Sequence, residues 1–431
     1  MATAVQAPYL VALNLTRRCN LKCAHCYLDA GTRDCGDTDE LTTDEVRDLL
    51  DDIAAHGDGT MVVLTGGEPL LRRDIDDLAR HATGCGLMTV IGTNGMLIND
   101  RRAGRLVDAG VKGVGISLDS LNPDYHDDFR GAPGAWRKTM AGIDACRRAG
   151  LALQLHFSVT DDNAGELDDM IAFARSVDAM VLNIFFLVCT GRGEKVTNIS
   201  RGTYEAVLRR VTQAAHDIDD LMVRAKCAPH FKRMAVELDP EWPITLAHGY
   251  DAGGCLAGTH YCRVTPEGAV TACPYIEDPA GSVREQPFAQ IWEKAPMFKA
   301  LREPTLEGRC GECEYRKLCG GCRARPLARD GNLMGEDFLC AYEPAGGAVI
   351  EPILDSAGTL NWSAEAEGRL KHVPPFVRRM VRKRAEDYVA GEGRDTVTGD
   401  DLTALLRRRF GADGLPPFLR DKIPERFRHD G

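Results

Sequence analysis

Cys19, Cys23 and Cys26 stand within one eight-residue stretch, CNLKCAHC. Thiols at that density are metal ligands or redox groups, and three of them leave a four-ligand shell one short. A structural zinc ion closes its shell with four protein ligands. A 4Fe–4S cluster held by three thiolates instead keeps one iron open to a small molecule. A larger group follows in the second half of the chain: Cys255, Cys262, Cys273, Cys310, Cys313, Cys319, Cys322 and Cys340. The other five of the sixteen cysteines, Cys35, Cys85, Cys146, Cys189 and Cys227, are scattered and read as small buried hydrophobes.

These thiols need rigid supports, and the first half of the chain supplies a pattern for them. Short β-rich runs recur at 10–15, 60–64, 87–91, 113–118, 153–159 and 179–187, separated by segments of helical periodicity. The segment 43–56 is the clearest helix: Val46, Leu49, Leu50, Ile53 and Ala54 form one apolar stripe, with a threonine cap in front and Gly57 behind. Six strand–helix units predict an α/β fold whose parallel sheet curls into a full or partial barrel. Chemistry in such folds sits on loops at the carboxyl ends of the strands. The first cysteine group falls on the loop after the first strand.

Composition narrows the setting. The 431 residues are 44% hydrophobic and 27% charged, enough for two or three packed domains. A net charge of −11 argues against general nucleic-acid binding, which needs a basic excess. The start of the chain lacks a basic region followed by an apolar stretch, and the longest apolar run, at 180–189, is half a membrane span and contains Asn183. A cytoplasmic protein with no membrane span is therefore expected, and in a reducing compartment clustered cysteines favour metal sites over disulfides.

The CxxxCxxC stretch, followed after the second strand by TGGEP at 65–69, resembles the radical S-adenosylmethionine (SAM) superfamily. The resemblance implies that Cys19, Cys23 and Cys26 hold a 4Fe–4S cluster whose open iron takes the amino and carboxylate groups of SAM. It implies that Gly66 and Gly67 let backbone approach the methionyl group, that Glu68, before Pro69, accepts from the SAM ammonium, and that His25 stacks on adenine. Thr93 and Asn94 of the GTNG run, and Ser117 and Asp119 of SLD, fall where that family places ribose and carboxylate contacts. The bland reading of GTNG is a turn, since Asn-Gly favours one. The implied activity is oxidoreductase chemistry through a 5′-deoxyadenosyl radical that takes a hydrogen from the substrate, with a low-potential donor such as ferredoxin or flavodoxin supplying the electron.

The second cysteine group resembles the SPASM extension of that superfamily, which holds two auxiliary 4Fe–4S clusters and brings the implied total to three. By order in the motif, Cys255, Cys262, Cys273 and Cys322 would ligate the first, and Cys310, Cys313, Cys319 and Cys340 the second. Cys319 and Cys322 are separated by two residues where three are usual, so the division between clusters stays open. The two CxxC pairs also have zinc-ribbon spacing.

Four parts result: a radical SAM barrel over 1–230, a bridging and SPASM segment over 231–345, a linker at 346–358 and a small helical domain at 359–431. The last part contains VPPFVRRMVRKRAEDYV and TGDDL, resembling the small helical domain of light-independent protochlorophyllide reductase. Phe376, Val377, Met380, Val381, Tyr388 and Val389 form its apolar face, and between Arg369 and Arg409 it carries 11 Lys/Arg against 6 Asp/Glu. NLTRRCNLKCAHCY and CGGCRARPLARDG resemble the radical SAM/SPASM proteins of haem and d-type haem biosynthesis, which implies a tetrapyrrole carboxylate side chain as target. The rival substrate is a ribosomal peptide or a partner enzyme awaiting maturation. Many such peptide enzymes carry a recognition domain before the barrel, which here is expected to begin by residue 9. A third reading is an iron–sulfur carrier with a vestigial SAM loop, which formation of 5′-deoxyadenosine would eliminate.

Overall fold

The computed structural model describes residues 5–31, 39–57, 59–188, 190–195, 199–242, 254–352, 360–371, 373 and 375–410. Cys35 and Cys189 lie outside the described residues. Seven parallel strands run in chain order: β1 (Leu10–Asn14), β2 (Met61–Thr65), β3 (Met88–Thr93), β4 (Gly113–Ser117), β5 (Ala152–Val159), β6 (Val181–Phe186) and β7 (Met222–Lys226). Six of them are the runs expected from sequence. The seventh, MVRAK, has a single apolar alternation and two cations, so it carries little hydrophobic signal.

The sheet does not end at β1. β8 (Tyr261–Val264) pairs parallel with β1 on the side opposite β2, placing Cys262 beside Val11, and β9 (Ala269–Thr271) and β10 (Gly281–Ser282) follow antiparallel. The strand order is β10-β9-β8-β1-β2-β3-β4-β5-β6-β7, an open ten-stranded sheet of partial-barrel type. β1 is consequently buried along its whole length, as LVALN suits a strand covered on both faces. The cysteine-rich segment shares this core: Cys262, Val264, Val270, Phe288, Ile291 and Trp292 pack in one cluster with Val11, Leu13 and Leu50. The boundary expected near 230 therefore falls between two strands of a single sheet, β7 at one edge and β8 third from the other.

Local chemistry fixes the supporting helices. The helix Thr43–His56 has a complete capping box, in which Glu45 N donates to Thr42 Oγ1 at 3.2 Å and Thr42 N donates to Glu45 Oε2 at 2.8 Å. Its Val46, Leu49, Leu50 and Ile53 are buried, as their spacing requires. The segment beyond residue 359 has its own small core. β11 (Asn361–Trp362) pairs with β12 (Thr396–Val397), and Ala366, Ala385, Val389, Val397 and Leu402 are buried between the helices Ala364–Lys371, Pro375–Gly391 and Gly399–Phe410. Val381 and Tyr388 join that core, while the side chains of Phe376, Val377 and Met380 lie outside the described residues. Among the described residues no helix is long and apolar enough to cross a membrane.

Candidate functional site

The loops after β1, β2, β3 and β4 meet at the carboxyl ends of the parallel strands. Cys19 and Cys23 are buried and Cys26 half-buried, packed with Leu21, Leu28, Ala30 and Ala135. Distant segments stitch this loop in place. Lys22 N and Ala24 N donate to the carbonyls of Arg130 (3.3 Å) and Phe129 (3.0 Å), at the end of the helix Pro123–Arg130. Arg192 Nε donates to Cys23 O at 2.9 Å, and its Nη1 donates to Ala30 O at 2.8 Å. Gly191, with φ +57°, comes so close that a Cβ would stand 2.7 Å from Cys26 O.

The GGEP loop continues the β1–β2 ladder beyond the strands: Gly67 N donates to Thr16 O (2.6 Å) and Glu68 N to Arg18 O (2.8 Å). A Cβ on Gly66, whose φ is +145°, would stand 2.7 Å from Thr16 O, and one on Gly67 only 2.3 Å from Arg18 O. Both glycines are thus required by the cysteine loop's backbone, a constraint within the protein that the ligand-based expectation does not include.

Glu68 is held within the protein. It is 0% exposed, and its carboxylate accepts from Thr93 Oγ1 (2.8 and 2.9 Å), Asn94 N (2.9 Å) and Leu70 N (3.1 Å). Burial pushes its pKa up while those donors oppose the rise. With protein donors on both oxygens, Glu68 ties the β2 and β3 loops together. Pro69 starts the short helical turn that follows and is buried. Thr93 spends its hydroxyl on Glu68, and Asn94 Nδ2 donates to Asn20 Oδ1 at 2.8 Å, linking the GTNG loop to the cysteine loop.

Asp119 is likewise turned inward. It is 0% exposed, pairs with Arg130 at 2.5 Å and accepts from Ser158 N at 3.0 Å. Desolvation opposes its ionisation, but Arg130 holds the carboxyl below the usual aspartate range. Arg130 Nη1 also lies 3.7 Å from Cys23 Sγ. Asp119 thereby orients a buried cation against Cys23. Ser117, the last residue of β4, is half-buried. His25 stacks on Phe129, with centroids 4.3 Å and planes 12° apart, so one face of the ring that the resemblance offers to adenine is already covered. Its Nδ1 is buried without a hydrogen-bond partner, and desolvation lowers its pKa to about 4, leaving the ring neutral. His156 and Tyr27, on β5 and on the cysteine loop, are packed: a Cβ on Gly115 would strike the His156 ring, and Asn14 Nδ2 donates to Tyr27 Oη at 3.1 Å.

In the second group, Cys310, Cys313, Cys319 and Cys340 line one cavity together with Arg233, Arg309 and Tyr342. Cys255, Cys273 and Cys322 also come within electrostatic reach of one another. Cys262 does not join them. It is 0% exposed on β8, and its neighbouring charge is Arg302, which lies over the Trp292 ring at 4.4 Å. Alternation along β8 places Cys262 with Val11 in the main core, on the face opposite Tyr261 and Arg263.

The donor sets suit clusters better than single ions. Thiolates on one zinc, each ~2.3 Å from it, stand no more than about 4.6 Å apart. Among the described residues the group of three or more ligand atoms that close is Asp51, His81 and Cys85, not the cysteine groups. Burial raises the Cys19 thiol to about 12, so coordination to a metal would be needed to hold it as a thiolate at neutral pH. Sequence reasoning missed Asn20, Arg130 and Arg192: each is an ordinary surface-type residue in sequence, and only the fold brings it to the cysteines.

The family model described as the radical SAM superfamily matches residues 13–174, the iron–sulfur cluster-binding SPASM domain 255–322, and the proto-chlorophyllide reductase 57 kD subunit 362–405. An AdoMet-dependent heme synthase of Methanosarcina barkeri is 39% identical over 350 residues, covering 80% of this chain and 99% of that protein. A mycofactocin maturase, MftC, of Mycobacterium ulcerans is 33% identical over 80% of this chain and 91% of its own length. In fold, the chain is similar to Streptococcus suis SuiB bound to S-adenosylmethionine, with a TM-score of 0.63 at 16% identity, over 79% of this chain and 78% of that one.

Proposed function

We propose, from the premise that this chain belongs to the radical SAM superfamily and carries a SPASM iron–sulfur domain, that it oxidatively modifies carboxylate side chains of a tetrapyrrole. The observation that carries this reading is the 39% identity to a heme synthase across 99% of that protein's length. Cys19, Cys23 and Cys26 would hold the SAM-binding cluster, and the second cysteine group two further clusters. When bound, the cluster and SAM supply one-electron cleavage of a carbon–sulfur bond and a hydrogen-abstracting 5′-deoxyadenosyl radical. The chain's own part is placement and exclusion.

Glu68, through Thr93 and Asn94, fixes the loop over which the methionyl group would lie. Arg130 sets a positive charge beside Cys23, where a cluster would gain negative charge on reduction. Arg192 and the Gly191 turn fasten the cysteine loop from above, which limits water around the reacting atoms. Four thiolates per auxiliary cluster favour carrying an electron away over binding substrate at iron, and a low-potential donor such as ferredoxin or flavodoxin would be the partner. We assign the barrel to 1–230, the cysteine-rich part to 231–345, the linker to 346–358 and the helical tail to 359–431. The basic tail would attract an anionic substrate.

The maturase relative at 33% identity favours a second reading, a peptide substrate. One experiment separates the two: the anaerobically reconstituted protein is given SAM and reductant, with or without didecarboxysirohaem, and 5′-deoxyadenosine and porphyrin mass are followed together. Porphyrin mass loss in step with 5′-deoxyadenosine is expected. Slow 5′-deoxyadenosine formation that ignores the porphyrin would remove this substrate and leave the peptide reading.

A further inference from the structure

Cys227 follows β7 at the edge of the sheet furthest along the strand order from β8, and its sequence surroundings, RAKCAPH, contain no second cysteine. Nothing in the spacing connects it to the SPASM segment. The fold does. Its backbone carbonyl accepts from Arg325 Nη2, while Arg325 Nη1 pairs at 2.7 Å with Asp337, whose Oδ2 also accepts from Cys322 N at 2.8 Å. Cys227 and Cys322 are therefore anchored on two sides of one buried ion pair, with Asp337 0% exposed.

The side chains agree with the backbone. Cys273 lies within electrostatic reach of Cys227, Cys322 and Cys255; Cys227 within reach of Cys322 and Cys255; and Cys322 within reach of Cys255. Every pair among these four thiols is thus accounted for. Cys227 also has φ +57°, in the left-handed region that a side chain rarely adopts, so the turn after β7 is held there by its surroundings. On β8, by contrast, alternation sends Arg263 toward the Tyr27 ring (5.8 Å), and Tyr27 in turn meets Tyr275 beside Cys273. Cys262, between Tyr261 and Arg263, faces the other way.

We infer that Cys227, not Cys262, is the fourth thiolate of the first auxiliary cluster, with Cys255, Cys273 and Cys322. The inference rests on the iron–sulfur reading of the SPASM segment. It has a structural consequence: a ligand from the β7 end, one from just before β8 (Cys255) and two from beyond it (Cys273 and Cys322) would clamp the two sides of the open sheet through one cluster. The cluster would then be part of what closes the partial barrel, beyond any staple within the cysteine-rich segment.

The test uses the full chain, reconstituted anaerobically as wild type, Cys227→Ala and Cys262→Val, with iron and sulfide per chain and the electron paramagnetic resonance spectrum of the reduced protein as readouts. Cys227→Ala is expected to lose about one third of the iron, one cluster of three, or to keep it with an altered signal that shifts on adding imidazole to the opened iron. Cys262→Val, which preserves core packing, is expected to match wild type in both readouts. An unchanged spectrum and iron content in Cys227→Ala would overturn the assignment, as would loss of a cluster from Cys262→Val, and the second variant stands even where the first fails to fold. A wild type that holds only one cluster would instead refute the iron–sulfur reading itself.

Discussion

Cys19, Cys23 and Cys26 come from eight consecutive residues and are held by props from far along the chain, Arg130 and Arg192 above all. Cys255, Cys273 and Cys322 come from three separate places and rest on the sheet that β8 and β9 extend. A locally encoded site can thus depend on distant supports, while a dispersed one can be anchored by the core itself. Damage to the first kind is possible without touching a thiol; damage to the second is felt through the sheet.

The largest effect that separates the two regions is Cys19→Ala. Formation of 5′-deoxyadenosine should fall to the level of protein-free controls, while the iron held by the second cysteine group stays bound. Liquid chromatography with iron analysis on the same sample measures both, and residual SAM cleavage would break the assignment of the first group.

Arg130→Met addresses a prop. It leaves Asp119 charged and buried without its partner, a change that costs about 3 to 5 kcal/mol when one member of a buried pair is removed. Anaerobic denaturant unfolding should show that loss, and adding Asp119→Asn should recover part of it because the orphaned charge goes too. If the single variant is as stable as wild type, Arg130 is not a support of the cysteine loop. Gly67→Ala should act more narrowly. Its Cβ would meet Arg18 O at 2.3 Å and push the two loops apart. A displacement near 1 Å at a reacting site costs about 100-fold in rate, so SAM cleavage should fall by about that factor with iron content unchanged.

What the sequence made legible follows the same division. Six strands, the capped helix at 43–56 and the first cysteine group were readable because each signal is local: alternation, a capping box, a spacing. The cavity of Cys310, Cys313, Cys319 and Cys340 was readable for the same reason, with three of the four within ten residues. β7 was not, since MVRAK lacks an apolar run. The exchange of Cys262 for Cys227 proposed above is not legible in spacing, because side-chain direction depends on strand register, which spacing alone does not carry. Glu68 and Asp119 were recognised as special, but their partners Thr93, Asn94 and Arg130 sit on other loops, so a motif could say which residues matter and not which way they point.

The smallest effect concerns the seam between the regions. Arg284, just past β10, donates to Glu45 Oε1 at 2.8 Å, while Glu45 also completes the capping box of the helix Thr43–His56. These hydrogen bonds, the one from Arg284 foremost, depress the Glu45 pKa from 4.5 to about 2. A carboxylate depressed on folding adds stability above its unfolded pKa and loses it as pH falls through the folded value. The seam should therefore be intact at neutral pH and weaken between about pH 4.5 and 2. Because 36% of the Glu45 side chain is exposed, solvent screening keeps the contribution below about 1 kcal/mol. Glu45→Gln should accordingly cost little at pH 7 and reduce the acid-range slope of stability against pH, read from denaturant midpoints at a series of pH values. A Glu45→Gln loss as large as that of Arg130→Met would mean that the seam is a principal support, and would remove the contrast between a propped loop and a core-anchored one.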